Sequence, residues 1–314
     1  MAHKIESVAY LGAKPWHGLG VEIKDGFISP AEMMKVAGLD WRVNLEDAFL
    51  ADGTKIPKVK IPRRDSDNAI LGNVGERYHV LQNEEAFDWF KPFIDTREAS
   101  FETAGSLRGG KIVWALAKAN IPTVEIVKGD PVESYILLSH SHDGTLSIRS
   151  GFSATRVVCA NTLSQAINSS SSKLLKLKHT RNAVLALEKV REVMDVARKD
   201  FIATTEQYKF LASKAINKKD LEKYVTRIFK TEDSESELRQ STVEKIEYLF
   251  ENGKGNQFGR GTAWNAMNAV TEYLTHEKGR TVDNRLHSLW FGLDVATNQK
   301  ALELATKLAE GTLE

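Results

Sequence analysis

An α+β fold is predicted for this chain, with an antiparallel β-sheet and packed helices followed by a mainly helical C-terminal region. Three observations predict it. Residues 101–154 hold four strand-length apolar runs separated by turn residues. A capped helical pattern precedes that block and another follows it. Beyond Thr180 the apolar residues recur at intervals of three and four, the period of a helix face.

The elements follow in order. The first fifty residues are rich in Gly and Trp, and residues 14–20 read as an ordered loop. Ser29, Pro30 and Glu32 spell a helix start: a cap, a proline at the first helical position and the acid of a capping box. Gly38 is its expected stop. Lys55, Lys58, Lys60, Arg63 and Arg64 form a basic patch, and Pro57 and Pro62 place it on an edge strand or loop. Residues 78–81 are expected as a short strand, with Asn83 capping a helix over 84–90. The sheet follows, with strands at 101–107 and 111–119 around an Arg108-Gly109-Gly110 turn, then at 134–141 and 145–154. Asp143-Gly144 is the expected two-residue hairpin turn between the last two. Residues 156–163 lead into another helix. One sheet face packs on helices, and the other is expected to be free for solvent or a ligand.

Past a serine run at 169–172, a helix of 33 residues is expected after Thr180, about 50 Å long. Its stripe runs through Ala183, Leu187, Val190, Met194, Ala197, Phe201, Thr204, Tyr208, Leu211 and Ala215. Such a stripe serves packing within the chain or a coiled-coil surface for self-assembly. Residues 173–230 carry 15 Lys or Arg against 7 Asp or Glu, a local excess of +8. An acidic stretch at 232–237 comes next, then a Gly-rich basic loop at 253–262. Thr262 caps a helix ending near Gly279, and a last helix covers 293–309. The expected division is an α+β core at 1–170 and a helical region at 171–314 packed on it.

Composition narrows the function classes. With 314 residues, 42% apolar and 27% charged, the chain can bury a core. A net charge of +1 excludes a bulk polycation, so any nucleic-acid surface must arise from local clustering. The single cysteine, Cys159, excludes an internal disulfide and a multi-thiolate zinc site. No signal-peptide core or membrane-length apolar run is visible, and the expectation is a cytoplasmic protein. The phosphate-binding Gly-x-x-x-x-Gly-Lys-Ser/Thr element and the dinucleotide fingerprint are both missing, which argues against an ATPase.

No convincing catalytic constellation emerges, and no catalytic residue, metal or cofactor is expected. His140, His142 and Asp143, with His79 as a possible third imidazole, are the nearest approach to a metal set. The histidines are expected to be partly exposed on a strand. Cys159 reads as core, and His17 as a structural loop residue. The stronger candidates are cations. Arg108, Lys111, Arg149 and Arg156 lie in or beside the expected sheet, and Lys173, Lys176, Lys178 and Arg181 follow it. Together they would line a groove for a phosphate backbone. Lys254 and Arg260, in the Gly-rich loop ahead of the Thr262 helix start, could hold a phosphate. Trp114, Tyr135 and Phe152 are either core or base-stacking residues.

Several segments resemble one family. These are Met1-Ala2-His3 with Trp16-His17-Gly18-Leu19-Gly20, then Arg156-Val157-Val158-Cys159-Ala160-Asn161-Thr162-Leu163, His179-Thr180, and Thr262-Ala263-Trp264-Asn265-Ala266-Met267-Asn268-Ala269-Val270-Thr271-Glu272-Tyr273. They are similar to phage- and plasmid-like proteins that carry the domain of unknown function 932. That resemblance implies a phage or plasmid setting and assigns no activity. The middle order of strand, helix, antiparallel sheet and helix also resembles Rad52-type single-strand annealing proteins. Residues 78–87 are similar in character to the segment that leads into the first core helix there. This resemblance implies rings or filaments of identical copies that hold single-stranded DNA in a basic groove. Non-catalytic, ATP-independent single-stranded DNA binding or annealing is therefore the leading expectation. The alternatives are a self-assembling or host-interaction accessory protein, and a metal-dependent nuclease using His140, His142 and Asp143.

Overall fold

In the computed structural model the described residues are 5–11, 20–24, 26–156, 175–180, 182, 194–229, 240–279, 288 and 293–313. The first half is mainly strand. β1 (Ile5–Leu11) and β2 (Val21–Ile23) precede helix α1 (Pro30–Val36). β3 (Val43–Phe49), β4 (Lys55–Arg64) and β5 (Val74–Gly75) come next, then short helices α2 (Asn83–Asp88) and α3 (Lys91–Asp95). The central strands are β6 (Ala99–Leu107), β7 (Ile112–Ala119), β8 (Val124–Glu125), β9 (Pro131–Ser141) and β10 (Ile148–Arg156), and β11 (Leu175–Leu177) pairs with β10. The C-terminal part is helical. It holds α4 (Met194–Ser213), α5 (Lys218–Phe229), α6 (Gln240–Asn252), α7 (Ala263–Glu272) with a π turn over Tyr273–Glu277, and α8 (Leu293–Glu310).

The expected four-stranded antiparallel block is present as β6-β7-β9-β10 at the centre of an eight-stranded sheet. The order is β11-β10-β9-β7-β6-β1-β2, with β8 pairing the start of β9. β1 and β2 run parallel, and every other pairing in the sheet is antiparallel. The alternation of β7 separates two cores. Ile112, Trp114 and Leu116 join a cluster with the C-terminal helices, which includes Tyr224, Leu249 and Trp264. Val113, Ala115 and Ala117 join Met33, Leu39, Phe87 and Phe90 of the N-terminal layer. The sheet is therefore covered on both faces, and the expected free face does not exist. Both parities of β7 and β9 are apolar, as in any doubly covered sheet. Trp114 and Tyr135 are each 3% exposed, which removes them as base-stacking platforms. The side chain of Phe152 lies outside the described residues.

Local chemistry accounts for most boundaries. The α1 start carries the full capping box: Glu32 N donates to Ser29 Oγ, and Ser29 N donates back to the Glu32 carboxylate. Gly38 ends it at φ +66. Thr262 caps α7 by accepting from Asn265 N, and α8 lies close to the span expected for the last helix.

Four expectations are corrected. Residues 78–81 form no strand; Tyr78 closes a turn by donating from its amide to Gly75 O. The basic patch is no edge: β4 is the middle strand of the sheet β3-β4-β5. Pro57 and Lys58, the latter at φ +61, fit there because they fall in a register break opposite residues 47–49. Four of its five cations are paired with acids, Lys55 and Lys60 with Asp47, Arg63 with Glu46, and Arg64 with Glu6 and Asp67. The β9–β10 connection spans residues 142–147 instead of a two-residue turn, for reasons given with the site. The described part of the long helix ends at Ser213, and Ala215 bridges to Thr262. Phe201, Tyr208 and Leu211 of its stripe are buried in the chain's own core. Residues 157–163, expected to lead into a helix, and residues 183–193 of the stripe lie outside the described residues.

Candidate functional site

The end of the sheet formed by the β6–β7 turn and the β9–β10 loop gathers most of the chemistry. β9 does not turn sharply after Ser141, because His142 N continues the ladder to β7 by donating to Lys111 O at 2.7 Å. Ser141 then closes the loop with its side chain: Oγ accepts from Leu146 N at 2.8 Å and donates to Leu146 O at 3.0 Å. Asp143 Oδ1 accepts from Thr145 N and from Thr145 Oγ1, and Gly144 takes φ +74. Gly72 packs so closely on this loop that a Cβ there would lie 2.9 Å from Asp143 Cβ.

The histidines are not partly exposed. His140, His142 and His179 are 1%, 0% and 8% exposed and sit together. The ring centroids of His140 and His142 are 4.8 Å apart, and those of His140 and His179 are 6.2 Å apart. They are covered because Trp41 packs edge-on against His142, and Tyr78 stacks on His179 at 4.7 Å. His79, the imidazole expected to join them, is exposed; only its amide takes part, donating to His179 O.

Two tautomers follow from the hydrogen bonds. Asn83 Nδ2 donates to Leu39 O and Trp41 O, so its Oδ1 faces His142 Nε2 at 3.0 Å as an acceptor. His142 therefore carries its proton on Nε2. His179 Nε2 lies 3.1 Å from Leu146 O, which can only accept, so it too is protonated there. Nδ1 of each ring is left with no partner, as are both nitrogens of His140. Burial holds all three rings neutral. It pushes His142 down to about 3, with the charges of His179 and Arg64 adding to the effect, and it carries His140 well below the ordinary range and lowers His179. Among the described residues no set of three or more His, Cys, Asp or Glu is disposed to hold a metal ion. Asp143, the carboxylate paired with these histidines in the nuclease alternative, is engaged by Thr145.

Beside the buried rings an open cleft of 460 Å³ is lined by Arg77, Tyr78, Leu146, Ser147, Lys178, His179 and Thr180, with Gly144 at its edge. Its two walls are tied by the bond from His79 N to His179 O at 3.0 Å. A tight turn, Thr180 N to Lys178 O at 2.8 Å, shapes the second wall.

The ten candidate cations divide between places. Arg108, at φ +56, and Lys111 are half-buried on the β6–β7 turn. Arg149 is paired with Lys176 across β10 and β11, and exposed Lys178 follows at the cleft. All five belong to the same end of the sheet. Burial lowers the Arg149 guanidinium, whose Nε has no partner, and no acid pairs with it among the described residues. Arg156 is at the other end of β10, opposite Val132. Lys254 and Arg260 are exposed on the loop before α7. That loop packs on the β8–β9 turn through Phe258 against Gly129 and Trp264 Nε1 to Asp130 Oδ2 at 2.8 Å. Two amides at the α7 start are already engaged, Ala263 N by Lys214 O and Asn265 N by Thr262 Oγ1. Lys173 and Arg181 lie outside the described residues, as do Cys159 and His17. Arg77, Asn83 and Thr180 were not singled out as site residues from sequence, and His179 stood out only within the family-like segment.

The family model described as Domain of unknown function (DUF932) matches residues 70–290. The chain belongs to this family. The matched span takes in the whole cleft, the three buried histidines and the capped start of α7. No curated protein and no solved structure matches the chain. No described helix is long and apolar enough to cross a membrane.

Proposed function

We propose that this DUF932 protein is a non-catalytic, ATP-independent single-stranded DNA-binding or annealing protein that grips the phosphate backbone along the β10–β11 edge. One observation carries the reading: Arg149 and Lys176 are directly paired across β10 and β11, Lys178 follows, and Arg149 has no acid to offset it among the described residues. A half-buried cation such as Arg149, without a counter-charge among the described residues, is costly to the fold, and an anion would complete it. Because both sheet faces are covered, the strand would lie along this edge and the adjoining loop end, not across the sheet. Backbone gripping brings little base preference and strong salt dependence.

The test is fluorescence anisotropy with a labelled oligothymidylate at low salt. Binding that weakens steeply with added salt supports the proposal, and no binding removes it.

Self-assembly is kept as a second reading because of the opposite sheet edge. β2 ends the sheet there, and Val21 and nearby Phe27 are 55% and 53% exposed. A homo-oligomer joined at this edge would show in light scattering as a multiple of the 35.0 kDa chain that Val21→Lys reduces to a monomer. A wild-type monomer at all concentrations would remove it.

A further inference from the structure

We propose that the cleft between Arg77–Tyr78 and Lys178–Thr180 seats a single nucleotide, with its phosphate between the two cations and its ring against Leu146 and Tyr78. This deepens the strand-binding reading, since the nucleotide would be one residue of a bound strand, but a free nucleoside monophosphate presents the same chemistry. Three features argue for this ligand class. The volume, 460 Å³, falls within the range of small-molecule sites. Among the described residues the lining has two cations and two aliphatic hydroxyls, Ser147 and Thr180, and no carboxylate, which favours an anion rich in oxygen acceptors. Leu146 and the Tyr78 ring supply an apolar wall suited to a planar group. His179 is buried beneath that wall, stacked on Tyr78 and bonded through Nε2 to Leu146 O, which holds the wall in place. A bare phosphate ion would leave the ring wall unused.

The walls are preformed: the Tyr78 hydroxyl donates to Ser141 O at 2.6 Å, and the backbone bond from His79 to His179 joins them. Arg77, Lys178 and Thr180 are exposed, so neutral replacements there test binding without threatening the fold.

The experiment is isothermal titration of the full chain with deoxyadenosine monophosphate, alongside competition against the labelled oligothymidylate. Deoxyadenosine and inorganic phosphate should each bind at least tenfold more weakly than the monophosphate. The double variant Arg77→Gln, Thr180→Val should lose at least tenfold in monophosphate affinity with an unchanged melting temperature. If the monophosphate also displaces the oligonucleotide, the cleft holds a residue of the strand. If it binds while the oligonucleotide does not, the cleft stands as a site for free nucleotide, and the strand-binding reading fails. If the oligonucleotide binds but the monophosphate does not, and the double variant binds DNA like wild type, the cleft proposal is overturned and the strand reading survives. If neither ligand binds, both fail.

Discussion

Acidification from pH 7.5 to 5 should destabilise this protein through its buried histidines. An unfolded histidine titrates near 6.5, whereas His142 in the fold is held down to about 3. Between those values the unfolded chain takes up a proton that the folded chain refuses, so stability falls as the pH falls. At pH 5 the difference for His142 alone amounts to about 2 kcal/mol. His140 and His179, lowered by the same burial, act in the same direction. The depressed carboxyls Asp47 and Asp67 lose their contribution only as the pH drops past the unfolded value of 3.8, below this window. Glu102 runs the other way: burial and Glu133 raise its carboxyl, so the fold gains from its protonation. Urea unfolding at pH 7.5, 6.0 and 5.0, in wild type and in Glu102→Gln, separates these effects. The Glu102→Gln protein should lose at least about 2 kcal/mol between the end points. A change under about 0.5 kcal/mol would refute the picture of a neutral, desolvated histidine cluster.

Three further outcomes follow from individual contacts. Asn83→Ala removes the amide that joins Leu39 O, Trp41 O and His142 Nε2, all buried, and should cost about 2–4 kcal/mol in urea unfolding. Trp264→Phe keeps the ring in the helical core but removes its hydrogen bond to the buried Asp130 carboxylate, at about 1.5–3 kcal/mol by the same assay. Gly72→Ala drives a Cβ against Asp143 and should cost about 1–3 kcal/mol while weakening nucleotide binding at the cleft, read by calorimetry.

Much of the architecture was legible from local chemistry. The capping box of Ser29 and Glu32, the Thr262 cap and the alternating runs of β6, β7, β9 and β10 depend on neighbours in sequence, and each is found in place. What was not legible depends on distant partners. The covering of the second sheet face rests on Met33, Leu39 and Phe87 arriving from the N-terminal layer. The interior position of β4 rests on acids at positions 46 and 47, and the burial of His142 rests on Trp41 and Asn83. Spacing could join His140 to His142, but no period in the sequence links them to His179 some forty residues later. The cations were expected around an open sheet face, whereas both faces are covered and Arg108, Lys111, Arg149, Lys176 and Lys178 belong to one edge and loop end.

The central claim is that the β10–β11 edge grips a phosphate backbone. It is tested most directly by the salt dependence of oligothymidylate affinity in wild type and in Arg149→Gln, Lys176→Gln. Removing two phosphate contacts from a single strand should flatten the slope of log affinity against log salt by about 1.4. A wild-type slope that the double variant leaves unchanged would contradict the claim.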